Sequence, residues 1–203
     1  VFKETHEAGK MATLLKFKKK YTPERWKNDK QKLIEKYNEL GYRDAYIVSD
    51  TVWNVDEKHV SMRVKVDEGK KYYVRNITWV GNTVYNSDYL AAVLGMKKGD
   101  VYNQKLMNKR LTEDEDAVGN NYWNNGYLFY SLHPTEVNIV GDSIDLEMRI
   151  FEGPQAHINH VRINGNDRLY ENVVRRELRT KPGDLFSKEA LQRSAREIAS
   201  MGH

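Results

Sequence analysis

The groups in this 203-residue chain whose types and spacing could do chemistry are few. They are six histidines, the acidic run Glu113-Asp114-Glu115-Asp116, and the lysine-rich stretch Lys16-Phe17-Lys18-Lys19-Lys20-Tyr21. His157 and His160 are the closest histidines. Three residues apart in an extended segment they point to opposite faces, and no third ligand stands nearby, so no metal site is expected. The acidic run lacks the ligand spacing and central glycine of a calcium loop, and on a helix it fans around most of a turn, which predicts a solvated helix face. There is no cysteine, which excludes disulfides, thiolate metal sites and cysteine nucleophiles. No Gly-x-Ser-x-Gly elbow, phosphate loop, dinucleotide fingerprint or zinc-helix motif occurs. Neither an enzyme nor a cofactor is expected.

The lysine stretch is the one strong charge signal. Residues 1–71 hold 17 Lys and Arg against 12 Asp and Glu, whereas the rest hold 16 against 17, so only the first third is basic. Without a recognised nucleic-acid motif, nucleic acid is not expected. Lys16, Lys18, Lys19 and Lys20 read first as a solvated loop between helices, and next as a contact for lipid headgroups or for a partner's acidic patch. With 39% hydrophobic and 31% charged residues the chain has material for packed cores. No apolar run approaches the roughly 18 residues of a membrane-spanning helix, and Val1-Phe2-Lys3-Glu4 does not open a signal peptide. Any membrane anchor or address is expected outside this sequence.

The elements that must position these groups come from a repeat. Trp79-Val80-Gly81-Asn82 recurs as Ile163-Asn164-Gly165-Asn166, a shift of 84 residues, and the same shift carries Leu94 onto Leu178, Gly99-Asp100 onto Gly183-Asp184 and Tyr102 onto Phe186. Shifted back, Glu152-Gly153 falls on Glu68-Gly69, and Gly126-Tyr127 on Gly41-Tyr42 with one residue of slack. This predicts one complete unit at 72–154 between partial units at 1–71 and 155–203. Linkers of a few residues should join them, with interfaces small enough to bend.

Within the complete unit, Tyr73, Arg75, Ile77 and Trp79 alternate up to the Gly81-Asn82 turn, a first strand. A short helix follows, capped by Asn86 or Ser87, with Leu90, Val93 and Leu94 on one face and Gly95 as its stop. Asn103 should cap a longer helix striped by Met107, Leu111, Val118 and Tyr122 and ended by Gly126. Two strands close the unit, Tyr127 to about Val137 and Ser143 to Phe151, joined by a turn at Gly141-Asp142. In the last strand Ile144, Leu146, Met148 and Ile150 alternate with Ser143, Asp145, Glu147 and Arg149. Val60, Met62, Val64 and Val66 repeat the pattern, so each sheet is dry on one face. The unit is β-α-α-β-β, an α+β fold, and its predicted core is Ile77, Trp79, Leu90, Leu94, Leu111, Val118, Leu146, Met148 and Ile150.

At these residues the chain resembles the POTRA (polypeptide-transport-associated) repeat of BamA-type outer-membrane assembly factors. The matching features are Ile-x-Trp-x-Gly-Asn ending the first strand, the Lys-x-Gly-Asp loop, Gly-Tyr opening the second strand, Glu-Gly closing the unit, and Asn38-Glu39-Leu40-Gly41-Tyr42-Arg43-Asp44-Ala45 as a helix-to-strand junction. The resemblance implies tandem repeats, each a three-stranded mixed sheet covered on one face by two helices, with the last strand in the middle. It further implies a periplasmic location, tethered through a C-terminal outer-membrane barrel that this chain lacks. The implied partners are unfolded outer-membrane β-barrel proteins, accessory outer-membrane lipoproteins and that barrel. Glu7 to Tyr21 fits the pattern poorly, and the first unit lacks the expected first strand and much of its first helix.

With the last strand in the middle, Tyr127 to Val137 becomes an exposed edge, guarded by His133 and Pro134. Tyr127, Phe129, Tyr130, Ser131, Leu132 and His133 could accept an extended client by strand addition, in which backbone bonds supply affinity without demanding a sequence. Tyr130 and Leu132 should face the core, Phe129 and Ser131 outward. Tyr42, Asp44, Tyr46 and Val48 mark the equivalent edge of the first unit. A POTRA module of a two-partner secretion transporter or of a cell-division scaffold is the alternative.

Overall fold

A computed structural model describes residues 6–7, 10–14, 21–57, 59–165 and 170–201, the first two segments by backbone alone. The first helix, α1 (Pro23–Glu39), begins where Thr22 accepts a hydrogen bond from the Arg25 N–H and Pro23 supplies a preset φ, as helix starts favour. Its buried Trp26 and Tyr37 pack with Ala45, Met62, Val64 and Val66. The strands β1 (His6–Glu7), β2 (Lys10–Leu14), β3 (Tyr46–Asn54) and β4 (Val60–Asp67) form a sheet ordered β1-β2-β4-β3. In β4 Met62, Val64 and Val66 are buried while Arg63 and Lys65 are exposed, the predicted alternation. Val60, at the strand's start, is exposed. The sequence pattern places no strand at Lys10–Leu14, yet β2 pairs antiparallel with β4 on the side away from β3.

The complete unit contributes β5 (Tyr73–Val80), α2 (Ser87–Leu94), α3 (Gln104–Asn108), α4 (Val118–Trp123), β6 (Ser131–Val140) and β7 (Ser143–Phe151), its sheet ordered β5-β7-β6. The Tyr73 N–H donates to the Asp142 carbonyl, and a Cβ added to Gly81 would lie 2.1 Å from the Ile150 carbonyl oxygen. Starts therefore meet starts and ends meet ends: β5 runs parallel to β7, while β6 and β7 form a hairpin. The sheet is mixed, and the last strand lies in the middle. Ile144, Leu146, Met148 and Ile150 are buried, and Ser143, Asp145 and Glu147 only half so. Asn86, not Ser87, caps α2, and Gly95 ends it in the left-handed region at φ 73°. Glu152 of the Glu-Gly motif closes the unit by accepting the Thr83 and Val84 N–H groups and the Tyr122 hydroxyl.

Three expectations for this unit are corrected. Ile77 and Trp79 are half-buried, whereas Val74 is buried. Val74 and Ile77 are an odd number of residues apart, so the alternation slips between them, where the Arg75 side chain and the Asn76 N–H both bond Asp145. The predicted long second helix is broken. After α3 a π-helical turn spans Lys109–Glu113, and the chain restarts at α4. Arg110 explains the break: it bonds Asp114 at 3.0 Å, Asp116 at 2.6 Å and the Val93 carbonyl at 2.5 Å. The acidic run thus lies at the interruption rather than on a continuous helix: Asp114 and Asp116 bond Arg110, while Glu113, Glu115 and Asp116 are exposed, solvated as expected. Finally, β6 starts at Ser131, four residues after the predicted Tyr127.

Beyond the complete unit lie α5 (Glu171–Arg176) and α6 (Lys188–Met201). The chain divides into two compact units, Val1–Asn76 with Met96–Asn108 and Glu136–Leu146, and Ile77–Gly95 with Lys109–Thr135 and Glu147–His203.

Candidate functional site: sheet edges and repeat joints

The described strands form two sheets with four outer strands, β1, β3, β5 and β6, and the two predicted edges fall on β6 and β3. β6 flanks β7, and β3 flanks β4. Of the six residues proposed for the first edge, Ser131, Leu132 and His133 lie in β6. Tyr127, Phe129 and Tyr130 precede it in turns, where the Leu128 N–H donates to the Gly126 carbonyl and the Tyr130 N–H to the Tyr127 carbonyl. Those local bonds displace strand pairing. Tyr130 is buried and stacks on Tyr122 at 4.3 Å, Leu132 and Ser131 are half-buried, and Phe129 is 58% exposed. His133 and Pro134 are exposed. The strand also runs on past Val137 to Val140, with Val137, Ile139 and Val140 exposed.

On the first edge's counterpart, Tyr46 and Val48 lie in β3 and are exposed, while Tyr42 and Asp44 precede the strand. Tyr42 packs edge-on against Tyr37, and Asp44 accepts the Tyr72 hydroxyl at 2.7 Å. The register of β3 slips between Ile47 and Ser49, so Val48 sits in an irregularity of the kind that guards edges. A groove lined by Lys30, Ile34, Asn38, Tyr46 and Ile47 runs between β3 and α1. Lys16, Lys18, Lys19 and Lys20 lie outside the described residues.

What residue spacing did not reveal is how consecutive repeats are joined. In the first compact unit the Tyr72 N–H donates to the Gly41 carbonyl at 2.8 Å, and the Tyr72 carbonyl accepts the Tyr102 N–H at 2.9 Å. In the second, the Ala156 N–H donates to the Gly126 carbonyl at 2.7 Å, and its carbonyl accepts the Phe186 N–H at 2.9 Å. Val74 with Asp100, and Ile158 with Asp184, continue the correspondence at 2.8 Å each. Both turn glycines have positive φ, 97° at Gly41 and 89° at Gly126. A Cβ there would meet Val101 Cγ1 at 2.7 Å or Leu185 Cδ2 at 3.0 Å, residues again 84 apart. The Gly-Tyr motif is therefore a joint as much as a strand opening: backbone is held where a side chain would collide. The short linkers are bonded on both sides.

The side chains of the two joints differ. Around the first, Arg43 reaches Glu136 of β6 at 2.5 Å, its guanidinium lies over the Tyr72 ring, and Lys105 pairs with Glu39 at 2.7 Å. Tyr102 donates its hydroxyl to the same Glu136 at 2.9 Å; burial pushes that hydroxyl's pKa up to about 12. Burial works against the Arg43 charge, but Glu136 and Asp44 beside it hold its pKa above the ordinary value. Around the second, Leu128 and Phe129 stand in place of Arg43 and Asp44, and neutral partners dominate. The Glu189 N–H donates to Asn124 at 2.9 Å, Lys188 bonds Asn120 at 3.1 Å and lies over Trp123, and Gln155 bonds the Asn125 carbonyl at 3.1 Å. The signal that could have found this network is the mismatch of Arg43-Asp44 with Leu128-Phe129 in otherwise matching turns.

Among the described residues no cluster of three His, Cys, Asp or Glu could hold a metal ion, and no helix is long and apolar enough to cross a membrane. Residues 6–69, 72–153 and 156–203 each match the family model described as POTRA, surface antigen variable number repeat. A Treponema pallidum (strain Nichols) protein named for outer membrane protein assembly is 28% identical over 180 residues, 85% of this chain and 21% of that protein. Outer membrane protein assembly factor BamA of Neisseria meningitidis serogroup B is 26% identical over 198 residues, 96% of this chain and 24% of that protein. The chain thus spans less than a quarter of the length of these curated relatives. The crystal structure of Haemophilus influenzae BamA POTRA3-5 matches with a TM-score of 0.70 at 19% identity, covering 94% of this chain and 74% of that one.

Proposed function

The chain belongs to the POTRA family, and from that premise we propose that it is the periplasmic, non-enzymatic part of an outer-membrane β-barrel assembly factor, receiving unfolded barrel proteins by strand addition. Its repeats are a partial one at 1–71, a complete one at 72–154 and a partial one at 155–203. It needs no cofactor, and it works beside accessory lipoproteins and a barrel domain outside this sequence. The observation that carries the reading is the unpaired side of β6 next to the central strand β7. An edge of this kind offers N–H and C=O groups to any extended chain, which suits a factor with many clients.

The test depends on which N–H groups face outward. Proline is tolerated in an edge strand where its missing N–H would face solvent. Neighbouring residues of a strand direct their N–H groups to opposite sides, so of Val137 and Asn138 one offers its N–H to the free edge and the other to the native ladder. Both are exposed. Of Val137→Pro and Asn138→Pro, the one that removes the free N–H should keep the fold and weaken binding of a barrel-strand peptide about tenfold, and Asn138→Thr should leave it nearly unchanged. The measurement is a fluorescence titration with circular dichroism as the folding check; equal affinity for the proline variant that stays folded overturns strand addition at this edge.

A further inference from the structure

The bonds around the first joint close on themselves. The Tyr72 N–H reaches Gly41, the Tyr102 N–H reaches the Tyr72 carbonyl, and the Tyr102 hydroxyl reaches Glu136 Oε1. Glu136 Oε2 takes Arg43, and Arg43 returns to the turn that Gly41 opens. Asp44 completes the ring by accepting the Tyr72 hydroxyl. Glu136 is the only member of this ring that lies in β6. Both of its carboxylate oxygens are committed to donors from outside the strand, one of them in the preceding repeat. Arg43 and Glu136 are each about three-quarters buried, where a charge-assisted bond is stronger than at an open surface.

We infer that Glu136 is a latch between the candidate client edge and the preceding repeat, so that strand addition on β6 and closure of the first joint reinforce each other. The regulatory part rests on the strand-addition reading. The latch holds the middle of β6 against the joint, so an incoming strand finds the edge already straight. A bound strand in turn holds Glu136 where Arg43 and Tyr102 can reach it. The second joint has the same backbone bonds but, among the described residues, no such ring, because Leu128, Phe129 and Phe186 occupy the places of Arg43, Asp44 and Tyr102. The latch is therefore a property of the first joint's side chains, laid over a backbone joint common to both.

Two measurements on the 203-residue chain test this. The first needs no client: amide exchange at the Tyr72 N–H is followed in Arg43→Met, Glu136→Gln and the double variant, with Tyr102→Phe as a milder probe that removes one hydroxyl. A latch predicts that each single change speeds exchange and that the double variant goes no further than the faster single one. Additive effects overturn the latch. The second uses a peptide of about ten residues with the alternating apolar and polar pattern of a barrel strand. Arg43→Met should weaken its binding about fivefold, and saturating peptide should slow Tyr72 exchange by the same factor, since coupling is reciprocal. Binding that leaves Tyr72 exchange unmoved overturns the coupling. Failure of the peptide to bind wild type overturns the strand-addition reading, and the coupling that rests on it, while the exchange cycle still decides whether the ring is a latch.

Discussion

Asp145 gathers three donors on the polar face of the complete unit's sheet: Arg75 Nε at 2.8 Å, a second Arg75 nitrogen at 2.5 Å and the Asn76 N–H at 3.1 Å. The Arg75 bond is the main cause that lowers its pKa from 3.8 to about 2. A carboxylate whose folded pKa is depressed adds stability above its unfolded value, and that stability is lost as pH falls through the folded one. The window is thus from about 4 down to about 2. Arg75→Met should raise the Asp145 midpoint toward the ordinary value, read by carboxyl NMR, and should flatten the acid limb of the stability profile. An unchanged midpoint would assign the shift to another cause. This pairing was hidden in the sequence because Arg75 and Asp145 are 70 residues apart and Arg75 shares the parity of Ile77 and Trp79, which were expected in the core, while Asp145 reads as outward. The same slip that aims Arg75 and the Asn76 N–H at one carboxylate left Ile77 and Trp79 half-buried, and no periodicity records a slip of one residue.

Elements whose pattern is uninterrupted were legible. β7 keeps strict alternation over nine residues, so its dry face followed from the sequence, and the Asn86 and Gly95 punctuation of α2 left little choice of ends. Leu146 is buried and Arg149 is exposed. Leu146→Ala should therefore cost about 3 kcal/mol in urea unfolding and Arg149→Ala less than about 0.5, a contrast that a wrongly assigned face would reverse. The second helix was legible only in its apolar stripe. Met107, Leu111 and Val118 are buried as that stripe requires, but the π turn and the break arise from Arg110, whose three acceptors lie on two segments. Arg110→Met should destabilise the protein by about 1 kcal/mol, because the orphaned carboxylates can turn to water while the Val93 carbonyl loses its donor. Urea midpoints equal to wild type would show that the break is held by packing alone. The start of β6 escaped for a related reason: Tyr127 to Tyr130 carry strand-forming residues, yet short-range bonds at Gly126 capture the backbone first.

At the scale of the chain, the sequence repeat and the compact units partition the residues differently. A repeat is bounded by Glu68-Gly69 and Glu152-Gly153, whereas each compact unit encloses a joint. The 84-residue shift made the repeat legible because it acts on residue types. It could not show that Tyr72 and Ala156, chemically unlike, hold the same place, since they do so through backbone groups that every residue carries. One consequence is that the sequence boundary is a poor place to cut. Ending the chain at Pro154 removes the Ala156 N–H from the Gly126 carbonyl, Gln155 from the Asn125 carbonyl, and the Glu189 N–H and Lys188 from Asn124 and Asn120. It also removes Leu185 from its place against Gly126. At about 1 kcal/mol or less for each bond, several of them partly exposed, the loss is on the order of 2 kcal/mol. That corresponds to a fall of about 5 °C in the melting midpoint for a chain of this size. The comparison is thermal unfolding of residues 1–154 against 1–203, with amide exchange at Tyr127 and Asn125 as the local readout. Faster exchange at both, together with the lower midpoint, is expected if the second joint stabilises the repeat before it. Equal midpoints and equal exchange would mean that each repeat closes without its successor, and that the bonds at Gly126 are made only because the linker is short.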